Sequence, residues 1–245
     1  MPYIYKKDAF DACLISSLFY GCESWFSWNK VEKLYMDAIK ATLGVRQKTR
    51  NDTVLFETGM MTSKDMITER ARRYMKKKFV DDVDEEIPLY KIYRLCEENN
   101  TKGYHFIRDC LSSEPLENLK KLKDKFVNEL GSKAVTYKSI NSSLTVHNVY
   151  CTNAYICEWK RVNFTRFRLS SHSLKIETGR WSRILREERL CECGEVQDEL
   201  HVTLYCPKTA GIREKFNFDG IDNLNDLMKH PSIIDIINEI TEIFK

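Results

Sequence analysis

Apolar side chains recur along most of the chain at the three- and four-residue spacing of an amphipathic helix. The clearest stripe consists of six residues on one helical face: Val31, Leu34, Tyr35, Ala38, Ile39 and Leu43. Asn29 followed by Glu32 resembles a capping box at the start of this stripe, and Gly44 stands where a helix usually ends. The pattern therefore predicts a helix between these two signals.

The same spacing predicts helices over residues 8–19, 51–58, 63–79, 89–98, 103–111, 116–130, 149–169, 222–229 and 232–244. Residues 170–179 are predicted to form a loop. Only nine glycines and five prolines interrupt the chain, which favours helices over a β-fold with many turns. We therefore predict a mainly α fold.

Two polar stretches suggest how the helices are grouped. An acidic run over residues 81–88 is a candidate linker, and the polar residues 131–143 form a second candidate boundary. A chain of 245 residues can form one large domain or two small ones. The boundaries predict a first helical region over residues 1–80, a helical connector over 81–143 and a C-terminal helical region over 144–245.

The net charge of +3 is too small to indicate a partner, but positive charge is concentrated in two segments. The first, over residues 62–79, carries a net charge of +5 and includes Arg70, Arg72, Arg73, Lys76 and Lys77. The second, over residues 158–189, also carries a net charge of +5. Both segments are candidate surfaces for phosphate groups, and solvated helix faces are the competing interpretation.

The compartment can be predicted from what the sequence lacks. Residues 1–10 are polar and do not resemble a secretory signal, and no apolar run reaches membrane-spanning length. Nine scattered cysteines do not suggest a disulfide framework. We expect an intracellular protein, nuclear or cytoplasmic, without a membrane segment. Six cysteines are predicted to be small buried side chains: Cys13, Cys22, Cys96, Cys110, Cys151 and Cys157.

Four residues near the C-terminus have the types and spacing of metal ligands. Cys191, Cys193, His201 and Cys206 supply three thiolates and one imidazole within sixteen residues. This set suits a tetrahedral Zn²⁺ ion, and Gly194 permits the tight turn that brings the first two cysteines together. Because all four ligands come from the protein, the zinc site would be structural, a knuckle over residues 191–206. Coincidental proximity of buried cysteines is the alternative.

The knuckle itself is acidic, so a nucleic-acid contact is expected in the segment before it. There, arginines alternate with aromatic side chains, a combination that pairs with phosphates and stacks on bases. The candidate contacts are Arg166, Arg168, Arg180, Trp181 and Arg183. Alternatively, Phe164, Phe167 and Trp181 belong to the core and the arginines are only solvated.

Motifs at both ends of the chain resemble non-LTR (LINE-like) retrotransposon reverse transcriptases. The N-terminal motifs resemble the region just after the polymerase core and comprise residues 18–25, 31–34, 43–46, 51–52 and 55–59. The C-terminal motifs resemble the tail of the same polyproteins and comprise Arg166–Arg168, His172, residues 176–181 and the four-residue knuckle. The resemblance covers both ends in the expected order, with a poorly matched middle.

The resemblance implies a thumb-like bundle that holds a template–primer duplex, followed by a nucleic-acid-associated zinc element. It makes residues 63–79 a candidate duplex-facing helix. The parent polyprotein would be an RNA-directed DNA polymerase, whose metal-binding carboxylates precede the region matched by this chain. Residues 79–82 (Phe-Val-Asp-Asp) mimic the family's catalytic signature but follow the thumb-like part, so we interpret them as a charged linker. No enzymatic activity is expected.

The leading hypothesis is a retroelement-derived chain that binds RNA or DNA, mainly through the phosphate backbone, and lacks the polymerase core. One alternative is a helical module in which zinc stabilises a protein-interaction surface. Another is a degenerate copy without a selected function. The sequence does not distinguish RNA from DNA and does not indicate the oligomeric state.

Overall fold

The computed structural model describes residues 2–22, 31–77, 88–152 and 154–244, and in these ranges the chain is mainly helical. The N-terminal half contains α1 (Tyr3–Ala9), α2 (Ser16–Leu18), α3 (Glu32–Leu43), α4 (Asn51–Thr58), α5 (Ser63–Lys76), α6 (Pro88–Glu98) and α7 (Lys102–Ser112). The C-terminal half contains α8 (Glu117–Val127), α9 (Ser132–Ile140), α10 (Glu158–Arg168), α11 (Lys175–Trp181), α12 (Ala210–Lys215), α13 (Leu224–Leu227) and α14 (Ile233–Ile243). Short 3₁₀ and π turns connect several of them.

The predicted mainly α fold is confirmed. Helices α3 and α4 end at Leu43 and Thr58, each followed by a glycine in the left-handed region, Gly44 at φ 75° and Gly59 at φ 66°. Glycine has no Cβ and adopts this conformation without strain. The sequence signals therefore placed the ends of both helices correctly.

Three segments differ from the sequence-based prediction. The predicted loop over residues 170–179 is wrong, because α11 begins at Lys175 and buries Ile176. The predicted long helix from residue 149 is shorter, because regular helix resumes only at Glu158. The polar stretch over residues 131–143 contains α9, whose Tyr137 is buried. In the first and third segments, polar composition concealed a helix that buries only a few apolar side chains.

Several features of the sequence lie outside the described residues. They include Asn29 of the proposed capping box, residues 23–25 of the N-terminal motif, Lys78, the Phe-Val-Asp-Asp segment at 79–82 and most of the acidic run. Among the described residues, no helix is both long enough and apolar enough to cross a bilayer.

Internal contacts divide the chain into two units that do not follow sequence order. The first unit comprises Met1–Lys7, Ile39–Gly59 and Phe126–Lys245. The second comprises Asp8–Ala38 and Met60–Lys125.

The core of the first unit is built around α10 and α14. Phe164 and Phe167 lie three residues apart on α10 and are fully buried. On α14, isoleucines at helical spacing pack into the same cluster: Ile233, Ile236, Ile237 and Ile240. This spacing places all four on one face, so the helix presents a continuous apolar stripe to the core.

The second unit contains a buried carboxylate that organises helix ends. Thr62 caps α5 by accepting the backbone N–H of Asp65 and donates its own hydroxyl to that carboxylate. Asp65 also accepts backbone N–H groups of Asn118 and Leu119 at the start of α8, each at 2.9 Å. One side chain therefore satisfies N–H groups that a helix start leaves without partners.

The prediction that six of the nine cysteines are buried is only partly right. Cys22 and Cys110 are buried, but Cys13 and Cys151 are exposed, while Cys96 and Cys157 are intermediate. A small side chain such as that of cysteine can lie at the surface as well as in the core, and the spacing of cysteines in the sequence does not show which position each one takes.

Candidate metal centre and basic surface

The first two candidate ligands lie on a small hairpin. Leu190 and Val196 form an isolated antiparallel bridge, and the Cys191 N–H donates to Glu195 O at 2.7 Å. Within this hairpin, the Gly194 N–H donates to Cys191 O at 3.0 Å. Gly194 has a φ of 94°, a conformation that side-chain-bearing residues rarely adopt. The tight turn brings Cys191 and Cys193 to the same side of the hairpin.

The other two ligands lie on the helical turn that follows. Asp198 Oδ1 accepts the His201 N–H at 2.9 Å and so caps the turn. The turn spans His201–Tyr205, and the Cys206 N–H closes it by donating to His201 O at 2.8 Å. The backbone therefore aims the His201 ring and the Cys206 thiol toward the hairpin.

The four donor atoms meet in one place. Each of Cys191, Cys193, His201 and Cys206 offers an atom, and these atoms all lie within 4.8 Å of one another. Cys191 Sγ and Cys206 Sγ are 3.7 Å apart, and Cys193 Sγ lies 3.1 Å from His201 Nε2. Two sulfurs bound tetrahedrally at about 2.3 Å from one ion would be about 3.8 Å apart. The cluster can therefore hold a metal ion with little rearrangement.

The thiols of the cluster differ in their tendency to ionise. Although burial opposes ionisation, hydrogen bonds from the Cys193 backbone N–H and the His201 ring lower the pKa of Cys191 to about 6. Burial raises the pKa of Cys206 to about 11, and the neighbouring Cys191 adds to that rise. Like charges in a small volume oppose each other, and a bound cation would favour both thiolates. This is the electrostatic pattern of a cation site.

Contacts with α11 hold the cluster in the first unit. The Ile176 N–H donates to Gln197 O at 3.2 Å, and the Lys175 N–H donates to the Gln197 side-chain carbonyl at 2.8 Å. Arg189 returns a hydrogen bond to Ile176 O at 3.0 Å. The hairpin that bears two ligands is therefore fixed to the start of a helix that the sequence did not predict.

Trp181, at the end of α11, lies at the centre of a basic surface of the first unit. Its side chain is 51% exposed, and the Arg46 guanidinium stacks over its ring at 3.9 Å from the ring centre. Burial lowers the pKa of Arg46, and the nearby Arg166 adds to this lowering. Arg166 is also exposed and donates to Gly44 O at 2.7 Å. We call Arg46, Arg166 and Trp181 the arginine–tryptophan surface.

Arg46 is a neighbour of Trp181 that the sequence analysis did not single out. It lies about 120 residues before Arg166 in the chain, outside both basic segments, so only the fold brings it to Trp181. In the sequence, only the position of Arg46 at the end of the motif over residues 43–46 could have drawn attention to it.

Two other predicted contacts lie near the end of α11 and after it. Arg180 is partly buried, forms an ion pair with Glu177 and donates to Ser132 Oγ at 3.0 Å. Arg183 is exposed, with a φ of 57°. Of these two side chains, Arg183 is the more accessible to a ligand.

Arg168 is a correction to the sequence-based prediction. Its side chain is 2% exposed, and its guanidinium is paired with the buried carboxylate of Glu57. A buried arginine in such a pair cannot reach a phosphate backbone. Phe164 and Phe167 are core residues, as the alternative interpretation held, whereas Trp181 is not.

The remaining predicted contacts lie on α5 and just after it, in the second unit. Arg72 and Arg73 both pair with Glu69, and Arg70 donates to Phe19 O at 3.3 Å. Lys76 and Lys77 are exposed. The shared glutamate offsets part of the positive charge that the sequence suggested for this segment.

Comparisons with protein-family models, with curated proteins and with solved structures find no match to this chain.

Proposed function

We propose that this chain is a nucleic-acid-binding helical protein stabilised by one structural zinc ion, and that it derives from the C-terminal region of a non-LTR retrotransposon reverse transcriptase. The sequence motifs at both ends of the chain support the proposed derivation from a reverse transcriptase. The arginine–tryptophan surface supports the proposed binding of nucleic acid, and the four-residue cluster supports the proposed binding of zinc.

Zinc is the ion that best suits the cluster. Three thiolates and one imidazole form a soft, four-coordinate set that binds Zn²⁺ tetrahedrally in structural sites. Cys191, Cys193, His201 and Cys206 fill all four positions, which leaves none for a water molecule or substrate. The ion would therefore join the hairpin to the following helical turn, and its binding free energy would stabilise the fold.

One observation carries the nucleic-acid proposal: the stacking of Arg46 on the half-exposed Trp181, with Arg166 close by. Guanidinium groups pair with phosphate oxygens, and an exposed indole offers a surface on which a base can stack. Two like charges kept near each other at a partly exposed site create a positive potential that favours a polyanion. Arg183 and the exposed lysines of the second unit would add further phosphate contacts.

The proposed role of the thumb-like part is contact with the nucleic-acid backbone.

The test measures the affinity of the full chain for a labelled RNA and a labelled DNA oligonucleotide at 50, 100 and 200 mM salt. We expect affinity to fall steeply with salt, because phosphate contacts release counterions. Changing Arg46→Gln together with Arg166→Gln should reduce the slope of log affinity against log salt by about 2, since each phosphate contact contributes about 1.

Lys215→Ala is the matched control. It also removes an exposed positive charge from the first unit, but this lysine is paired with Glu239 on the protein surface. The control should bind as the unchanged chain does. Salt-independent binding, or no binding at low salt, would refute the proposal.

A groove beside the metal cluster favours a second candidate function, docking of a protein partner. It measures about 480 Å³ and is lined by Val196, Leu200, Tyr205 and Pro207, together with Glu195, Asp198 and the candidate ligands Cys193 and His201. Tyr205 is 61% exposed, so its ring is accessible to a partner. If Tyr205→Ala abolished partner binding while the nucleic-acid affinity stayed at background, this second function would replace the first.

A further inference from the structure

A cavity of about 570 Å³ lies within the first unit, away from the metal cluster. Its walls come from the segment that follows α9 and from α13 with the start of α14, and Arg168 of α10 contributes to its lining. This volume lies within the range of pockets that hold small molecules. Apart from Arg168, no residue proposed to contact nucleic acid lines this cavity.

Arg168 is one of the residues that line this cavity. Its Nε and Nη2 donate to the two oxygens of Glu57, so the pair is side-on and Nη1 points away from the carboxylate. Nη1 takes part in neither of these hydrogen bonds, and a guanidinium N–H group can donate to a ligand oxygen.

Other donors line the same cavity. Asn225 accepts the Ser142 hydroxyl through Oδ1, which leaves its Nδ2 group available, and Lys229 adds an ammonium at the rim. Lys229 pairs with Asp226, which does not line the cavity. No described lining residue carries a carboxylate. The lining is therefore rich in donors and suits a ligand rich in acceptor oxygens.

Two histidines lie in the wall, His147 and His230, and both rings already have partners: His230 accepts the Ser232 N–H through Nδ1, and its Nε2 lies 3.1 Å from Phe216 O. His147 accepts the Val149 N–H through Nδ1, and its Nε2 lies 3.0 Å from Met228 O, to which it can donate. This ring therefore holds the two sides of the cavity together instead of binding a ligand. The apolar part of the wall includes Ile140, Val146, Ile233 and Ile234, and the wall also contains the polar residues Asn141, Ser143, Thr145, Asn148 and Thr152.

We propose that this cavity binds a small molecule in which an oxyanion, a phosphate or a carboxylate, is attached to an apolar or aromatic body. The oxyanion receives N–H groups from Arg168 and Asn225 and the charge of Lys229. The body packs against the isoleucines. Glu57 offsets much of the Arg168 charge and Asp226 offsets part of the Lys229 charge, so both residues contribute mainly oriented N–H donors.

The probe is phenyl phosphate, titrated calorimetrically into the full metal-loaded chain at constant ionic strength. Inorganic phosphate tests the contribution of the phosphate group, and phenol tests that of the aromatic ring. We expect phenyl phosphate to bind more tightly than either half. Asn225→Ala and Lys229→Ala should each weaken binding about tenfold or more, as is typical for hydrogen bonds to a charged group.

Asn148→Trp tests the location, because Asn148 is an exposed lining residue and a large side chain there would fill the entrance. This variant should lose phenyl phosphate binding with an unchanged melting temperature, and Lys215→Ala should keep it. The proposal is overturned if the unchanged chain does not bind phenyl phosphate at millimolar concentration. It is also overturned if phenol binds equally well, or if Asn148→Trp and Asn225→Ala leave binding unchanged. Because these variants lie outside the arginine–tryptophan surface, either proposal can fail independently of the other.

Discussion

Arg168 donates from Nε to Glu57 Oε1 at 2.5 Å and from Nη2 to Glu57 Oε2 at 3.0 Å, and both side chains are almost completely buried. The Tyr137 hydroxyl donates to the same carboxylate at 2.9 Å. This pair joins α4 to α10 within the first unit, although the two residues are 111 positions apart in sequence. A residue that resembled a nucleic-acid contact is therefore part of the core.

Replacing Arg168 with methionine should strongly destabilise the first unit. The change removes the positive partner and leaves the Glu57 carboxylate buried, which typically costs about 3–5 kcal/mol. The measurement is the free energy of unfolding in denaturant. The paired change Arg168→Met with Glu57→Leu removes both charges and should recover most of the loss. If the single and double variants were equally unstable, packing and not charge would explain the effect.

Replacing Trp181 with alanine should weaken binding to single-stranded oligonucleotides by about tenfold, because stacking of a base on an aromatic ring contributes about 1–3 kcal/mol. Trp181→Phe keeps an aromatic face and should retain most of the affinity. Fluorescence anisotropy with a labelled oligonucleotide measures both variants. Equal affinities for the alanine and phenylalanine variants would show that the ring does not stack on a base.

Acid should destabilise the first unit through His147. Burial, and then the nearby Arg168, lower the pKa of this ring below its ordinary value of about 6.5. The unfolded chain therefore binds the proton more readily than the folded chain. The stability contributed by the neutral ring is fully present above the unfolded-state pKa and is lost as the pH falls through the folded-state pKa.

The free energy of unfolding measured between pH 7.5 and about pH 4.5 tests this expectation. His147→Gln should flatten the decline in acid. His105→Gln removes a histidine from the second unit and should leave the decline unchanged. If the stability of the unchanged chain and of the His147 variant depended on pH in the same way, His147 would not be the cause of the loss in acid.

Asp65→Ala should destabilise the second unit by about 2 kcal/mol or more, because it leaves two backbone N–H groups of α8 without their acceptor. Asp109→Ala is a suitable control, since this carboxylate is exposed and pairs only weakly with its neighbour Arg108 at 3.5 Å. Thermal unfolding followed by circular dichroism measures both. A loss below about 0.5 kcal/mol for Asp65→Ala would show that water replaces the carboxylate at no cost.

The sequence predicted those parts of the structure that local signals determine. Gly44 and Gly59 mark the ends of α3 and α4, and the isoleucines of α14 repeat at helical spacing. The four candidate ligands were also predictable, because their spacing is short enough for a hairpin and one helical turn to bring them together.

Contacts between distant segments could not be predicted in this way. Arg46 reaches Trp181 only through the fold, and Arg168 was misinterpreted because nothing local indicates that Glu57 is its partner. Helix α11 was missed because Thr178 and Gly179 disfavour a helix, yet the burial of Ile176 stabilises one there, and the buried Glu177 is paired with Arg180 and Lys133. In each case tertiary packing decides what the local sequence leaves open.

We propose that Cys191, Cys193, His201 and Cys206 hold one zinc ion that stabilises the C-terminal element. Elemental analysis of the purified full chain tests it most directly, with Cys193→Ser as the variant and the exposed Cys151→Ser as the matched control. We predict about one zinc per chain in the unchanged protein and in the control, and little or none in Cys193→Ser. A chain that purifies folded without zinc, or a Cys193→Ser variant that retains a full equivalent, would contradict the account.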